Sequence, residues 1–223
     1  IVSGFGTVIT QANSSEVSST QTVTEKIPIA VSSLEVVDYS NDYLFVRLTD
    51  QESYLLNPGQ PMVPRVVKHY ELPFGATNVD VEVHPVGIDM QMVSKEIRPA
   101  PTPVPNTPRT TTVPTPKKDA RVYTSNIPYP EEWYGFHVGC GLNANGNHVT
   151  RVTIDLFPVR YRPVTGELQV AKEFSLVIRY QQPTRQIIPA KSTYDLVIIT
   201  PQTFSTLVMK LVNHKIAMGV PTV

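Results

Sequence analysis

The sequence predicts a mainly β protein: an antiparallel, jelly-roll-like β-sandwich followed by one strand and one helix of a truncated α/β domain. Two observations support this. Short segments in which apolar and polar residues alternate recur as far as Tyr180, with Pro and Gly turns between them and no helical period. From Tyr194 the pattern changes to a continuous apolar run and then to helical spacing. We therefore expect a sandwich over residues 1–185, a linker over 186–193 and a βα unit over 194–223.

The sandwich prediction rests on individual strands and turns. Residues 43–48 are rich in aromatic and β-branched side chains, and apolar residues alternate with polar ones over 79–84, 151–156 and 174–180. Thr165-Gly166 is typical of a hairpin turn. Residues 143–147, which are rich in Asn, form a second expected hairpin loop, and the prolines of 57–64 exclude a helix there. The polar residues 11–24 fit either a strand or a loosely held arm.

The second part begins with an apolar strand over residues 194–200, of the kind that is buried on both faces of a parallel sheet. Thr200 and Pro201 are typical of a helix N-cap and first turn. Apolar residues then recur at helical spacing up to Ile216, and Gly219 ends the predicted helix. Because one βα unit cannot bury its own faces, we expect this part to belong to a longer chain.

Composition excludes several classes of function. The 223 residues include 19 Lys and Arg and 19 Asp and Glu, so the formal net charge is zero. A protein that binds nucleic acid electrostatically needs a basic face, which this balance does not favour. No apolar run approaches the roughly 18 residues of a membrane span. The single cysteine excludes an internal disulfide framework.

Proline is concentrated in one segment, residues 99–118. The chain has 21 prolines, and this segment repeats a Pro-x-Pro pattern that favours extended polyproline II backbone. We interpret it as a long surface connector between two strands. The alternative is that it serves as a ligand for the aromatic groove of another domain.

Three stretches resemble the gingipain-like cysteine peptidases, a secreted family with a caspase-like catalytic domain behind an N-terminal pro-region. Residues 57–64 and 70–76 are similar to the pro-region element G-x-P-x-x-P followed by L-P-x-G-A, and residues 157–168 are similar to its P-V-x-Y-x-P-x-T-G-x-L hairpin. Residues 194–222 resemble the start of the catalytic domain.

The resemblance implies that residues 1 to about 185 form a pro-region, a β-sandwich that assists folding and blocks the active-site cleft until it is cleaved. The catalytic His and Cys of the family lie beyond the first βα unit, so we expect this chain to lack both and not to be an enzyme by itself. The implied partner is the downstream peptidase catalytic domain, and the implied location is secreted or at the cell surface. Neither a cofactor nor a metal is implied.

A latency role makes the exposed basic residues the candidate site. If the parent peptidase prefers Arg or Lys, Arg185 and Lys191 in the linker are candidate processing sites. A basic side chain from an extended segment can fill an acidic pocket through charge-assisted hydrogen bonds. The candidates in or beside the proline-rich segment are Arg98, Arg109, Lys117, Lys118 and Arg121.

The sequence gives little support for a nucleophilic cysteine, a zinc site or a calcium site. Cys140 lies near His137, but a Gly- and Asn-rich loop in a β region is not the setting of a caspase-type nucleophile, so we interpret Cys140 as an incidental thiol. His137, Cys140 and His148 match no standard zinc spacing. The turn with Asp38 and Asp42 has too few oxygen ligands for calcium and is interpreted as a solvated turn.

A second hypothesis is a β-sandwich that binds carbohydrate or mediates adhesion at a cell surface. It rests on four aromatic residues that lie close together in sequence: Tyr129, Trp133, Tyr134 and Phe136. Aromatic rings can stack on sugars, although aromatic residues at such positions can equally belong to the core.

Overall fold

The computed structural model describes residues 20–29, 34–49, 51, 53–104, 116–183 and 194–223. The chain divides into two compact units, with the boundary between residues 184 and 185. Within the described ranges, no helix is both long and apolar enough to cross a bilayer.

The first unit is built from strands β1 to β11 and a one-turn helix, α1. The elements in chain order are β1 (Thr20–Pro28), β2 (Glu35–Asp38), β3 (Tyr43–Arg47), β4 (Ser53–Tyr54), β5 (Pro64–Pro73), β6 (Thr77–Met92), β7 (Glu96–Ile97), α1 (Ala120–Tyr123), β8 (Tyr134–Leu142), β9 (His148–Leu156), β10 (Val159–Arg162) and β11 (Glu167–Gln181).

The strands form two four-stranded sheets and one small sheet. In the first large sheet, β11 pairs with β6 along one edge and with β1 and β10 along the other, always antiparallel. The second large sheet has the order β4-β5-β9-β8 and is also antiparallel. The small sheet has the order β2-β3-β7, and its two-residue β3–β7 pairing is parallel.

The core consists of side chains from both large sheets. Along β9, Val152, Ile154 and Leu156 are completely buried, and along β11 Phe174 and Ile178 are too. All five belong to one hydrophobic cluster. Each alternates with a less buried neighbour because successive residues of a strand point to opposite faces. Burying such a side chain stabilises the fold by about 1.5–3 kcal/mol.

The mainly β, antiparallel fold class is therefore confirmed. Both expected hairpin turns form, with Gly146 and Gly166 at positive φ of 76° and 71°. Two details differ from expectation. The parallel β3–β7 pairing was not predicted, and neither was α1, whose N-cap Asp119 accepts a hydrogen bond from the backbone N–H of Arg121.

In the second unit, residues 195–198 pair in parallel with residues 221–223 around one isolated bridge, between Leu196 and Thr222. The N–H of Ile198 donates to the carbonyl of Val223, and the N–H of Val223 donates to the carbonyl of Leu196. The sequence predicts a strand of the kind that a complete parallel sheet buries on both faces, and a single βα unit is not expected to bury it. Val197 and Ile199 are exposed, because no layer among the described residues of this unit covers them.

The predicted helix of the second unit is confirmed, but its start differs. A 3-10 turn (Gln202–Phe204) precedes α2 (Ser205–Ala217), and no side chain caps either element. Thr200 is therefore not the N-cap. The helix ends at Ala217, and the glycine predicted to stop it, Gly219, follows two residues later with a φ of +79°. The N–H groups of Gly219 and Val220 donate to Ile216 and Lys215, the hydrogen-bond pattern of a Schellman motif.

Candidate functional site at the base of the proline-rich loop

The entry to the proline-rich loop is fixed to the turn at residues 57–62. The N–H of Met62 donates to the carbonyl of Arg98 at 2.9 Å, and the N–H of Ala100 donates to the carbonyl of Gln60 at 2.8 Å. The N–H of Gly59 in turn donates to the carbonyl of Ala100 at 2.9 Å. These bonds satisfy backbone groups that are buried where the chain leaves the sandwich.

The exit from the loop is fixed to the same glycine. The N–H of Asp119 donates to the carbonyl of Gly59 at 2.8 Å, so Gly59 bonds to the chain at both ends of the loop. Gly59 has a φ of +79°, and a Cβ there would lie 2.7 Å from the carbonyl oxygen of Lys117. Only glycine fits this position without a shift of the backbone. We call these backbone bonds at Gly59 the loop clamp.

Tyr123 secures the exit side of the loop clamp. Its hydroxyl donates a 2.6 Å hydrogen bond to the carbonyl of Ile97 in β7, and only 7% of the residue is exposed. Burial raises the pKa of Tyr123 far above its usual value, so the hydroxyl stays protonated and remains a donor. Helix α1 is thereby fixed to the strand that leads into the loop.

Three of the five candidate inhibitory residues are engaged within the unit. The guanidinium of Arg98 stacks over the ring of Tyr39 at 4.1 Å. The ammonium of Lys118 lies 2.8 Å from a carboxylate oxygen of Glu96, and this hydrogen bond raises the pKa of Lys118.

Arg121 is the third. Its Nε and Nη2 donate to the two carboxylate oxygens of Asp119 at 3.2 and 3.0 Å. This bidentate contact lowers the pKa of Asp119.

The other two candidates differ from these three. Lys117 is exposed, and within the described ranges its side chain takes part in no hydrogen bond, ion pair or ring contact. Arg109 lies outside the described residues, as do the candidate processing residues Arg185 and Lys191.

A shallow cavity with charged walls lies beside the exit of the loop. It is lined by Asn41, Asp42, Tyr43, Ser94, Lys95, Glu96 and Lys118. Lys95 forms a 2.7 Å ion pair with Asp38, so this turn carries its own counter-charge. The part of the chain that the structure describes contains no group of three His, Cys, Asp or Glu side chains placed to hold a metal ion.

The three residues considered for a metal site do not converge. His137 and Cys140 are three positions apart on β8, and their side chains therefore point to opposite faces of the sheet. The sulfur of Cys140 lies 3.9 Å from Oγ1 of Thr150. The ring of His148 packs against Phe74, with 5.4 Å between the ring centroids.

The four aromatic residues of the carbohydrate hypothesis do not form an exposed platform. The Trp133 ring packs edge-on against the buried Phe174, and the Tyr134 hydroxyl donates to a backbone carbonyl of β6. Tyr129 is half-buried, and among the four only Phe136 is exposed.

Comparison with known proteins relates this fold to gingipain structures. No protein-family profile and no curated protein matches the chain. A chain from the complex of the pro- and mature domains of RgpB from Porphyromonas gingivalis matches with a TM-score of 0.54 and 14% identity, over 86% of this chain and 90% of that one. A chain from a structural study of the zymogenic latency of gingipain K from the same organism matches with a TM-score of 0.54 and 16% identity, over 73% of this chain and 100% of that one. At these identities the likeness is one of fold, and it agrees with the resemblance found in the sequence.

Sequence reasoning missed the roles of two residues that build this site, Gly59 and Tyr123. The prolines of 57–64 exclude a helix, but they do not indicate the bonds of Gly59 to Ala100 and Asp119, which join residues about 40 to 60 positions apart in the chain. Tyr123 carried no motif, and its role depends on the distant carbonyl of Ile97.

Proposed function

We propose that this chain is the pro-region of a secreted, gingipain-like cysteine endopeptidase, joined to the first strand and helix of the catalytic domain. In this proposal the first unit masks the active-site cleft and assists folding until it is cleaved off. The observation that carries the proposal is the loop clamp on a sandwich that has the fold of gingipain pro-domain structures.

The loop clamp suits an inhibitory segment for a physical reason. A segment that enters a cleft loses conformational entropy, and fixing both of its ends beforehand reduces that loss. The prolines restrict the backbone further and lack the N–H that a peptide normally offers to a protease. A clamped, proline-rich loop is therefore able to occupy a cleft in an extended form that resists cleavage.

The contacts of the basic residues narrow the choice of the side chain that enters the cleft. Arg98, Lys118 and Arg121 already have partners, and each would have to give up its partner to bind elsewhere. Lys117 has no such cost, and Arg109 is far from the clamped residues in sequence. We therefore propose Arg109 or Lys117 as the inhibitory residue.

Processing is proposed at Arg185 or Lys191. Both follow the boundary between the two compact units, where a cut would leave the sandwich whole.

The second unit supports a catalytic domain as the partner. Its exposed apolar side chains, which include Val197, Ile199 and Leu207, need the remaining layers of an α/β domain to cover them.

Inhibition in trans tests the proposal. The 223-residue chain is added to the mature peptidase encoded by the same gene, and residual activity is measured on a small peptide substrate. We expect inhibition that weakens about tenfold or more in Arg109→Ala or Lys117→Ala, because one charge-assisted contact to a carboxylate is worth about 1.5–3 kcal/mol. Arg121→Ala is the matched control and should leave inhibition unchanged. No inhibition at micromolar concentration would contradict the proposal.

A further inference from the structure

Strand β8 forms one edge of the second large sheet. It pairs with β9, and within the described ranges its backbone forms no hydrogen bond to any other segment. The strand runs from Tyr134 to Leu142 and contains neither proline nor any Asp, Glu, Lys or Arg. Proteins usually protect exposed edge strands with such residues, because an open edge can template pairing with another strand.

The long edge strands of the first large sheet, β1 and β6, are protected in this way, and β1 carries Glu25, Lys26 and Pro28. The same holds for β6. It carries Asp80, Glu82 and Asp89 as well as Pro85, and Gly87 interrupts its regular conformation with a φ of +64°. The lack of protection on β8 is therefore a local property of that strand and not a general feature of the molecule.

Alternate side chains of β8 lie on the same face of the sheet as the buried core residues of β9, but they remain partly exposed. The register with β9 places Phe136 opposite Ile154 and Val138 opposite Val152, both of which are completely buried. Phe136 and Val138 are nevertheless each 43% exposed, and Leu142 is 57% exposed. The opposite face is open for a different reason: a Cβ added at Gly135, Gly139 or Gly141 would meet nothing within 4 Å.

The order of residues in β8 is self-complementary. In an antiparallel pair centred on Val138, Phe136 lies opposite Cys140 of the second copy and Tyr134 lies opposite Leu142, so larger side chains face smaller ones. On the other face of the sheet, His137 lies opposite Gly139. Each contact then occurs twice, as a two-fold interface requires.

We propose that β8 pairs antiparallel with β8 of a second copy of this chain, with the two-fold axis at Val138, so that the second large sheets of the two copies become continuous. Pairing brings no like charges together, because the strand has none and the chain is neutral overall. One strand pair with its side chains buries roughly 1,000 Å², at the low end for specific interfaces, so the dimer is expected to be weak. This inference does not depend on the proposed function.

Cysteine cross-linking tests the register in the full chain. Cys140 is the only cysteine, and in this register the two copies of Cys140 are about four residues out of alignment. The unchanged chain should therefore not cross-link. Val138→Cys, made together with Cys140→Ser, places the Cα atoms of the two new cysteines at the roughly 4.5–5.5 Å separation of directly opposed residues, which a disulfide can span, and should give a disulfide dimer with oxidised glutathione as the oxidant.

The control is Ile88→Cys with Cys140→Ser, because Ile88 is 44% exposed on β6 and so matches Val138 in exposure. It should give several-fold less dimer at the same protein concentration. Equal dimer from both variants would overturn the proposal.

Sedimentation velocity tests the dimer without cross-linking. When the protein concentration is raised from about 5 to 500 µM, a range suited to a weak interface, the sedimenting mass of the unchanged chain should shift toward that of the dimer. Val138→Lys should remove this shift. Ile88→Lys should retain it. A monomer at every concentration would overturn the proposal. Labelling of the Cys140 thiol would then show what covers the strand instead: protection by residues 1–19 or by the mature peptidase would identify either as the occupant.

Discussion

Replacing Gly59 with alanine tests the loop clamp. Left-handed backbone costs a residue with a Cβ about 1–2 kcal/mol. The new Cβ would also lie 2.7 Å from the carbonyl oxygen of Lys117, which is backbone and cannot turn away. Such crowding costs typically about 1–3 kcal/mol, so we expect a total loss of about 2–5 kcal/mol in the free energy of unfolding.

Gly146→Ala is the matched control for the left-handed conformation alone. Gly146 has a φ of +76°, close to that of Gly59, but a Cβ there would meet nothing within 4 Å. We expect this variant to lose only about 1–2 kcal/mol. The difference between the two variants then measures the contact with Lys117.

Urea unfolding gives the two free energies, and amide hydrogen exchange locates the effect. In Gly59→Ala the N–H groups of Ala100 and Asp119 should exchange faster, because their carbonyl partners belong to the turn that must shift. In Gly146→Ala they should stay protected. If the two variants lose the same free energy and protect both amides equally, the reasoning about the loop clamp is refuted.

Three further predictions concern the first unit. Tyr123→Phe should cost about 1–2 kcal/mol in urea unfolding, because it removes the hydroxyl that donates to the carbonyl of Ile97; no loss would mean that this bond does not stabilise the exit of the loop. Burial raises the pKa of Tyr161 from 10.0 to about 12. The stabilising effect of its buried, neutral hydroxyl on the folded state should therefore be complete below pH 10 and lost as the pH rises toward 12. Unfolding and tyrosinate absorbance should rise together over this range. Ile154→Ala should cost about 2–5 kcal/mol, whereas Val138→Ala on the exposed edge should cost about 1 kcal/mol or less; equal losses would contradict the assignment of core and edge.

The sequence allowed the sandwich to be predicted because each strand carries its own evidence. Alternation at Val79, Val81 and Val83 reflects a sheet with one buried face, and Gly166 marks a turn through its freedom to adopt positive φ. Both signals are local. Nothing in either of them depends on which strands become neighbours.

What could not be predicted depends on contacts between distant residues. The loop clamp joins Gly59 to Ala100 and Asp119, and the sequence does not indicate which turn the loop returns to. Likewise, β8 has an apolar alternation like that of a core strand, but whether a strand is an edge is decided by sheet order. Val197 and Ile199 have the pattern of a strand that is buried on both faces, yet both are exposed, because the described residues of the second unit do not contain the layers that would cover them.

We propose that the proline-rich loop, held by the loop clamp, makes this chain a latency element. The most direct measurement compares inhibition of the mature peptidase by the unchanged chain and by a chain whose residues 101–117 are replaced by a Gly-Ser linker of equal length. We expect the replacement to weaken inhibition by about a hundredfold, because the clamped, proline-rich sequence and its basic side chains are both lost, while the urea midpoint stays the same. Undiminished inhibition by the replaced chain would contradict the claim.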